Sequence, residues 1–261
     1  MPSTVIAIGD ELLAGHTLDT NSHWLAGRLR LLGHPLKRVT VVRDRHEDIV
    51  EQLHRDLTDP AVEDVFCSGG LGPTPDDRTF EAVAAALGRE LVTWAPVLER
   101  IERRVLRMHE AGLVESAQVS EGNRRMACVP AEPDHVFRNR RGMAPALLYW
   151  VDGRRRLFIL PGVPSELRSI FAEEVEPQFL AGRAAPVTHE LRFVFAAESR
   201  FYPVMRELES SHPDISVGSY PNFQTKELVL RFAGQDGRRV LEAVEVVRQR
   251  AAPMGLTPTA G

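Results

Sequence analysis

Ser68-Gly69-Gly70-Leu71-Gly72-Pro73-Thr74-Pro75-Asp76-Asp77-Arg78-Thr79 follows the apolar run Asp64 to Cys67 (DVFC) and precedes a helical pattern from about Asp77 to Leu87, closed by Gly88. A buried strand that breaks into glycines and re-forms as a helix is half of a β-α-β unit. Glycines let the backbone approach a ligand and turn its amides inward, and a helix start at Asp77 adds a positive dipole end, a combination suited to phosphate. The dipole contributes only about 0.3–1 kcal/mol, so several amides must act together. One carboxylate suffices to cap a helix. A second acid beside an anion site implies a cation between them, and Mg²⁺ is commonly held by one or two carboxylates plus substrate phosphates. Asp76, Asp77, Asp44, Asp10 and Glu11 are the candidate metal ligands, the first three foremost.

Working outward, Thr4 to Ile8 reads as a buried first strand leaving through Gly9-Asp10-Glu11. Trp24, Leu25, Leu29 and Leu32 recur at helical spacing, with Gly33 as the stop and Asp19-Thr20-Asn21 as the start. Asn21 serves the cap or touches a ligand. Leu36 to Val42 is a second strand, and Asp44 with Glu47 forms a variant capping box before Ile49, Val50, Leu53 and Leu57. Asp44 thus reads as a cap, while its place at a strand end admits a catalytic role. Alternating strands and helices predict a mainly parallel sheet, whose ligands bind beyond the carboxyl ends of the strands. Gly9-Asp10-Glu11, Asp44 and the Gly69–Asp77 loop are therefore expected to converge on one crevice.

Further along, Pro96 to Ala111 and Glu115 to Ala127 read as helices. Val136-Phe137, Ala146 to Val151 and Arg156 to Leu160 read as strands, with Asp152-Gly153 as a hairpin turn. Pro161-Gly162-Val163-Pro164 opens a helix near Ser165. Ala181 to Pro186 is a linker. Then Leu191 to Phe195, Ser199 to Leu208, Ile215 to Ser219, Glu227 to Phe232 and Arg238 to Arg250 form a small β-α-β-β-α unit, before a Thr257–Gly261 tail expected to fray. The predicted domains are residues 1–178 and 187–255. Gly234-Gln235-Asp236-Gly237 spells the G-x-x-G of RNA-binding loops, but it joins a strand to a helix and carries an acid, so it reads as a turn.

Two more segments join a turn to an anchor: Asn139 to Pro145, including Gly142, and Leu160 to Glu166, including Pro161 and Gly162. Arg138, Arg140 and Arg141 either meet a phosphate or form a solvated loop. The composition, 43% hydrophobic and 26% charged, is that of a globular protein, and no apolar run approaches the roughly 18 residues of a membrane helix. The N-terminus shows no export signal, so a cytoplasmic protein with no membrane partner is expected. The net charge of −4 gives no global attraction to nucleic acid. Cys67 and Cys128 read as buried reduced thiols, and the nine histidines show no paired helical spacing that would make a zinc site.

These motifs, in this order, resemble the N-terminal half of the CinA family (competence/damage-inducible protein A), a branch of the MoaB/MogA molybdopterin-binding fold. The matching pieces are Gly9-Asp10-Glu11-Leu12-Leu13-x-Gly15, Asp19-Thr20-Asn21, the Ser68–Thr79 block, Asn139-x-x-Gly142 and Leu160-Pro-Gly-Val-Pro-Ser-Glu166. The following unit, with Ser219-Tyr220-Pro221, looks like that family's KH-like domain. The resemblance implies an α/β fold of three layers, α/β/α, followed by a small α+β domain. It implies hydrolysis of diphosphate-linked nucleotides such as ADP-ribose or FAD, dependent on a divalent metal (Mg, Mn or Co) and K⁺. Asp44 and Asp77 fall on the two aspartates that matter in the molybdopterin-binding relatives. The phosphate and ligand contacts would come from Gly9, Asp10, Glu11, Asn21, Ser68, Gly69, Gly70, Leu71, Gly72, Thr74, Thr79, Asn139, Gly142, Pro161 and Gly162. A homo-oligomer, dimer or trimer, is implied. The chain departs from the pattern where the family usually has Gln in place of Met126, Thr in place of Met143 and Gly in place of Ala146. It ends without the family's frequent nicotinamide-nucleotide amidohydrolase domain. The alternatives to a pyrophosphatase are a molybdopterin-binding or adenylyl-transferring protein of molybdenum cofactor biosynthesis, and a non-catalytic nucleotide-binding module.

Overall fold

The computed structural model describes residues 2–259 and divides into two compact units, Met1–Arg183 and Ala184–Gly261. The first unit runs β1 (Ser3–Ile8), α1 (Asp10–Leu13), α2 (Thr20–Leu31), β2 (Leu36–Val42), α3 (His46–Leu57), β3 (Asp64–Ser68) and α4 (Thr79–Leu87). It continues through β4 (Leu91–Thr93), α5 (Ala95–Glu110), α6 (Glu121–Arg125), β5 (Cys128–Pro130), β6 (His135–Phe137), β7 (Ala146–Trp150), β8 (Arg156–Leu160) and α7 (Pro164–Ile170). A π-helix, Phe171–Leu180, extends α7. Six strands form one sheet in the order β2-β1-β3-β8-β7-β6. The β2, β1, β3 and β8 strands are mutually parallel, whereas β7 and β6 return antiparallel. The sheet is mainly parallel, as the strand–helix alternation predicts.

Alternation along β3 assigns the layers. Val65 and Cys67 join the core under α3, α4 and α5, with Ile49, Leu53, Val83 and Ile101. Phe66 points the other way and packs with Leu25 and Leu29 of α2 and with Leu167, Ile170 and Phe171. Every residue of β3 and β8 is buried, which is why residues 65–67 and 157–160 read as unbroken apolar runs. The helix–sheet–helix layering is thereby confirmed.

The amino edge of the parallel strands carries a buried ionic network. Asp64, the first residue of β3, is fully buried. It accepts from Arg156 Nε at 2.6 Å and Nη2 at 2.9 Å, and lies 3.2 Å from His34 Nδ1. Arg156 opens β8 in register with Asp64, donates Nη1 to Phe179 O at 2.8 Å and stacks over Phe158 and Trp150. Burial alone would raise the Asp64 carboxyl; the hydrogen bonds and charges of His34 and Arg156 outweigh it and hold the group below the usual carboxylate range.

The second unit contains β9 (Val187–Val194), a 3₁₀ turn leading into α8 (Tyr202–Ser211), β10 (Ser216–Asn222), β11 (Glu227–Gly234) and α9 (Gly237–Ala251). Its antiparallel sheet has the order β10-β11-β9, with Phe193, Leu230 and Phe232 turned toward α8 and α9. Asp236 caps α9 by accepting from Arg238 N, so the G-x-x-G is the turn it was read as.

Three local expectations fail. The stretch from Glu115 to Ala127 is helical only over Glu121–Arg125, because its polar sequence offers no apolar face to bury. Asp44 does not cap α3, whose N-cap is Arg45 without a side-chain bond. Thr259 does not fray but donates its amide to Arg192 O at 2.8 Å; Ala260 and Gly261 lie outside the described residues. Cys67 is buried, with its thiol pushed up by burial, while Cys128 is only half-buried. Among the described residues no helix is long and apolar enough to cross a membrane.

Candidate functional site

The carboxyl ends of β1, β2, β3 and β8 meet at one edge, and their loops touch backbone to backbone. Gly69 (φ 113°) and Gly70 (φ 64°) lie in the region that favours glycine. A Cβ at Gly69 would stand 2.1 Å from Ile8 O, and one at Gly162 would stand 3.2 Å from Gly69 Cα. Three buried polar side chains pin this junction. Asn21 Nδ2 donates to Ser68 Oγ (3.1 Å) and Gly162 O (2.7 Å), Ser68 Oγ donates to Pro161 O (3.1 Å), and Thr79 Oγ1 donates to Gly69 O (2.8 Å). Asn21, Ser68 and Thr79 are thus the scaffold beneath the loops. Gly69 N is used in the sheet extension to Leu160 O. Among the described residues, however, the amides of Gly70, Leu71 and Gly72 donate to no protein acceptor.

The acids take positions that local patterns did not reveal. α4 starts at Thr79, not Asp77, with Arg78 at its cap position. Asp77 instead closes the preceding turn. Its Oδ2 accepts from Thr74 N (2.9 Å) and Thr74 Oγ1, and its amide donates to Thr74 O. Gly72 leaves room for this arrangement, since a Cβ there would stand 2.6 Å from Asp77 Oδ2 and push the carboxylate aside. Arg125 of α6 clamps the same turn, donating to Thr74 O, to Asp77 O at 2.9 Å and to Glu81 Oε1 at 3.1 Å. Asp44 reaches across to the β1 exit, where its Oδ2 accepts from Asp10 N at 2.8 Å. Burial raises the Asp44 carboxyl, the Asp10 amide opposes that, and the charges of Glu11, Asp10 and Asp76 raise it further.

An open cleft of about 350 Å³ lies along the glycine loop. Of the expected residues, Gly70, Leu71, Gly72, Asp77, Pro161 and Gly162 line it, as do Met126 and Met143. Glu11, Asn21, Ser68 and Gly162 line a neighbouring recess of about 100 Å³. Asp44 lines neither. Asn139 is an organiser, its Oδ1 accepting from Arg141 N and Gly142 N and its Nδ2 donating to Ala144 O and Glu166 Oε2. Arg138, Arg140 and Arg141 are exposed, and Arg140 pairs with Glu173 at 3.4 Å. Sequence reasoning left out Asn123 and Glu166, which also line the cleft, and the clamp Arg125. Glu166 stood in a quoted motif, but an acid in the first turn of a helix looks like an ordinary cap residue. Arg125 carried no signal, since its partners lie about fifty positions away.

Residues 4–181 match the family model described as "Probable molybdopterin binding domain". The chain belongs to this family. Protein TK1472 of Thermococcus kodakarensis is 34% identical over 252 residues, covering 96% of this chain and 97% of that protein. Protein PF0476 of Pyrococcus furiosus is 34% identical over 256 residues, covering 96% and 97%. Among solved structures, CinA of Thermoplasma acidophilum, a protein with unknown function, superposes with a TM-score of 0.59 at 30% identity over 67% of this chain and 96% of that chain. The family match spans every loop of the converging edge and ends within the first unit.

Within this site, burial and the neighbouring acids together raise the Asp44 carboxyl above its ordinary range. A carboxyl with raised proton affinity favours the fold at pH values below its ordinary range, and that contribution is lost as pH rises through its folded value. Asp44→Asn keeps an acceptor for the Asp10 amide and removes the repulsion. It should melt no lower than the parent at pH 7 and gain less than about 1 kcal/mol, the gain vanishing near pH 4. Thermal melts across that range check this; a variant less stable throughout would show that the charge is welcome.

Proposed function

We propose that the chain binds a phosphate-bearing pterin of the molybdopterin type, with its phosphate on the Gly70–Gly72 amides and its ring in the adjoining cleft. The observation that carries this is the row of three unpaired amides at the carboxyl edge of a parallel sheet. Free amides beside glycines whose φ is already positive can turn toward an anion without strain. The family match and the motif order Gly9–Gly15, Asp19–Asn21, Ser68–Thr79 support the reading. The same order supports a CinA-like subgroup, with residues 187–255 as its KH-like part, acting in the cytoplasm as a dimer or trimer.

A second reading, nucleotide pyrophosphatase, is favoured by the raised Asp44 carboxyl facing Glu11, Asp10 and Asp76. Among the described residues no three His, Cys, Asp or Glu side chains are grouped to hold a metal by themselves. One or two carboxylates and a diphosphate suffice for Mg²⁺, so one or two of Asp44, Asp76 and Asp77 would hold a metal that arrives with its substrate. Such an ion, Mg²⁺, Mn²⁺ or Co²⁺, would neutralise the diphosphate and lower the pKa of a bound water. The chain's own part is to hold the phosphates on the loop amides and keep Asp77 fixed against Thr74.

One paired experiment separates the readings: calorimetric titration with molybdopterin, and AMP release from ADP-ribose and FAD with Mg²⁺, Mn²⁺ or Co²⁺ and K⁺. Binding with a Kd on the order of 1 μM or tighter, about −8 kcal/mol, and no AMP upholds the pterin reading alone. Metal-dependent AMP release that Asp77→Asn abolishes establishes the hydrolase. Neither signal from folded protein overturns both.

A further inference from the structure

Glu166 is an acid that neither reading uses. It lines the same cleft as the glycine loop: the loop offers amide donors, with the one carboxylate there, Asp77, engaged by Thr74, whereas Glu166 offers only acceptors. Its position is built. Asn139 Nδ2 donates to its Oε2, and Gly142 gives it room, since a Cβ at Gly142 would stand 2.1 Å from the Glu166 carboxyl carbon. Among the described residues no Arg or Lys forms an ion pair with it. Apart from Asp77 and Asn123, the remaining walls are largely apolar, with Leu71, Met126, Met143, Ala144 and Val163. Methionine sulfur and methylenes pack well on the face or edge of a flat ring.

We infer that Glu166 determines ring specificity by accepting the paired N–H donors of a 2-amino-4-oxopyrimidine edge, the edge shared by pterin and guanine. This rests on the pterin-phosphate reading above and adds to it the residue that selects the ring. A carboxylate repels phosphate, so the anionic end of the ligand goes to the amides and the other end meets Glu166. Two adjacent donors, a ring N–H and the exocyclic amine, satisfy one carboxylate as a charge-assisted pair. Adenine presents a ring-nitrogen lone pair beside its amine, and that lone pair faces the carboxylate unfavourably. Sites built to pair with a polar edge reject analogues that lack it far more strongly than apolar pockets do.

The test is calorimetric titration of the full chain with GMP, neopterin monophosphate, AMP and inorganic pyrophosphate, repeated on Glu166→Gln and Gly142→Ala. Pyrophosphate has no ring and reports the amide loop separately. GMP or neopterin monophosphate should bind at least about tenfold more tightly than AMP; whichever binds tighter names the source. In Glu166→Gln that ratio should fall to about one. Gly142→Ala keeps the charge but displaces the carboxylate, and should do the same. Equal affinity for GMP and AMP in the parent, or an unchanged ratio in both variants, overturns the assignment while pyrophosphate binding leaves the phosphate site standing. Failure of pyrophosphate and of every ring to bind the parent overturns the phosphate reading and this inference together.

Discussion

Asp64→Ala should lower the unfolding free energy by about 3–5 kcal/mol, the cost of stripping one partner from a buried ion pair. Arg156 is only 7% exposed and would keep its charge with nothing but Phe179 O and two aromatic faces to meet it. His34, 2% exposed, would lose its partner as well. For a unit of this size the loss corresponds to a fall in Tm of roughly 6–20 °C. Replacing the pair together, Asp64→Leu with Arg156→Met, should recover much of it, because the desolvation of both charges disappears. The acid limb gives an independent check. A carboxyl held below its usual range stabilises the fold above that range, and the contribution is lost as pH falls through its folded value. The parent should therefore lose stability in acid more steeply than the double variant. Urea unfolding at several pH values measures both; a loss under about 1 kcal/mol for Asp64→Ala would mean that Arg156 finds another partner.

Gly69→Ala should damage fold and site together. The added methyl would overlap Ile8 O at 2.1 Å and lie 3.1 Å from Ile8 C, and both obstacles are backbone of the first strand. Its φ of 113° adds strain of its own. A destabilisation of about 2–4 kcal/mol is expected from the two effects combined. Because Gly162 rests on Gly69 Cα, relief by moving the loop outward disturbs the cleft. Ligand affinity should fall by roughly 100-fold, equivalent to losing two or three net amide hydrogen bonds. Gly88→Ala is the control, with positive φ but nothing within 4 Å of its Cβ; it should cost no more than about 1–2 kcal/mol and leave binding intact. Melting curves and titrations of the two variants test the contrast. Equal behaviour would remove the steric argument.

The strand–helix alternation, the converging strand ends and the Ser68–Thr79 loop were legible because they rest on periodicity and glycine chemistry, which are local. What escaped was decided by distant partners. Asp44 and Glu47 match a capping pattern, but the Asp10 amide, 34 positions away, wins the carboxylate. Asp77 sits where a helix start is read, yet Thr74 draws it into a turn and the helix begins two residues later. Asn21, Ser68 and Thr79 also fasten three loops through partners far along the chain, a task no local pattern announces. The pairing of β4 with β5 joins segments 35 positions apart, each only three residues long, too short for any pattern to show. Arg125 and Glu166 act through contacts that no spacing encodes.

The Asp64 network opens β3 and the glycine loop follows its end, so Asp64 and Gly69 stand five residue steps apart, about 17 Å of extended chain. Changes that far apart with no shared partner add almost independently. Stability gained at the amino edge is then a reserve against which substitutions at the carboxyl edge can accumulate without loss of the fold. Substitutions around the cleft, at Met126 or Met143 for example, are then expected to alter what it binds without drawing on the network at the other end of β3.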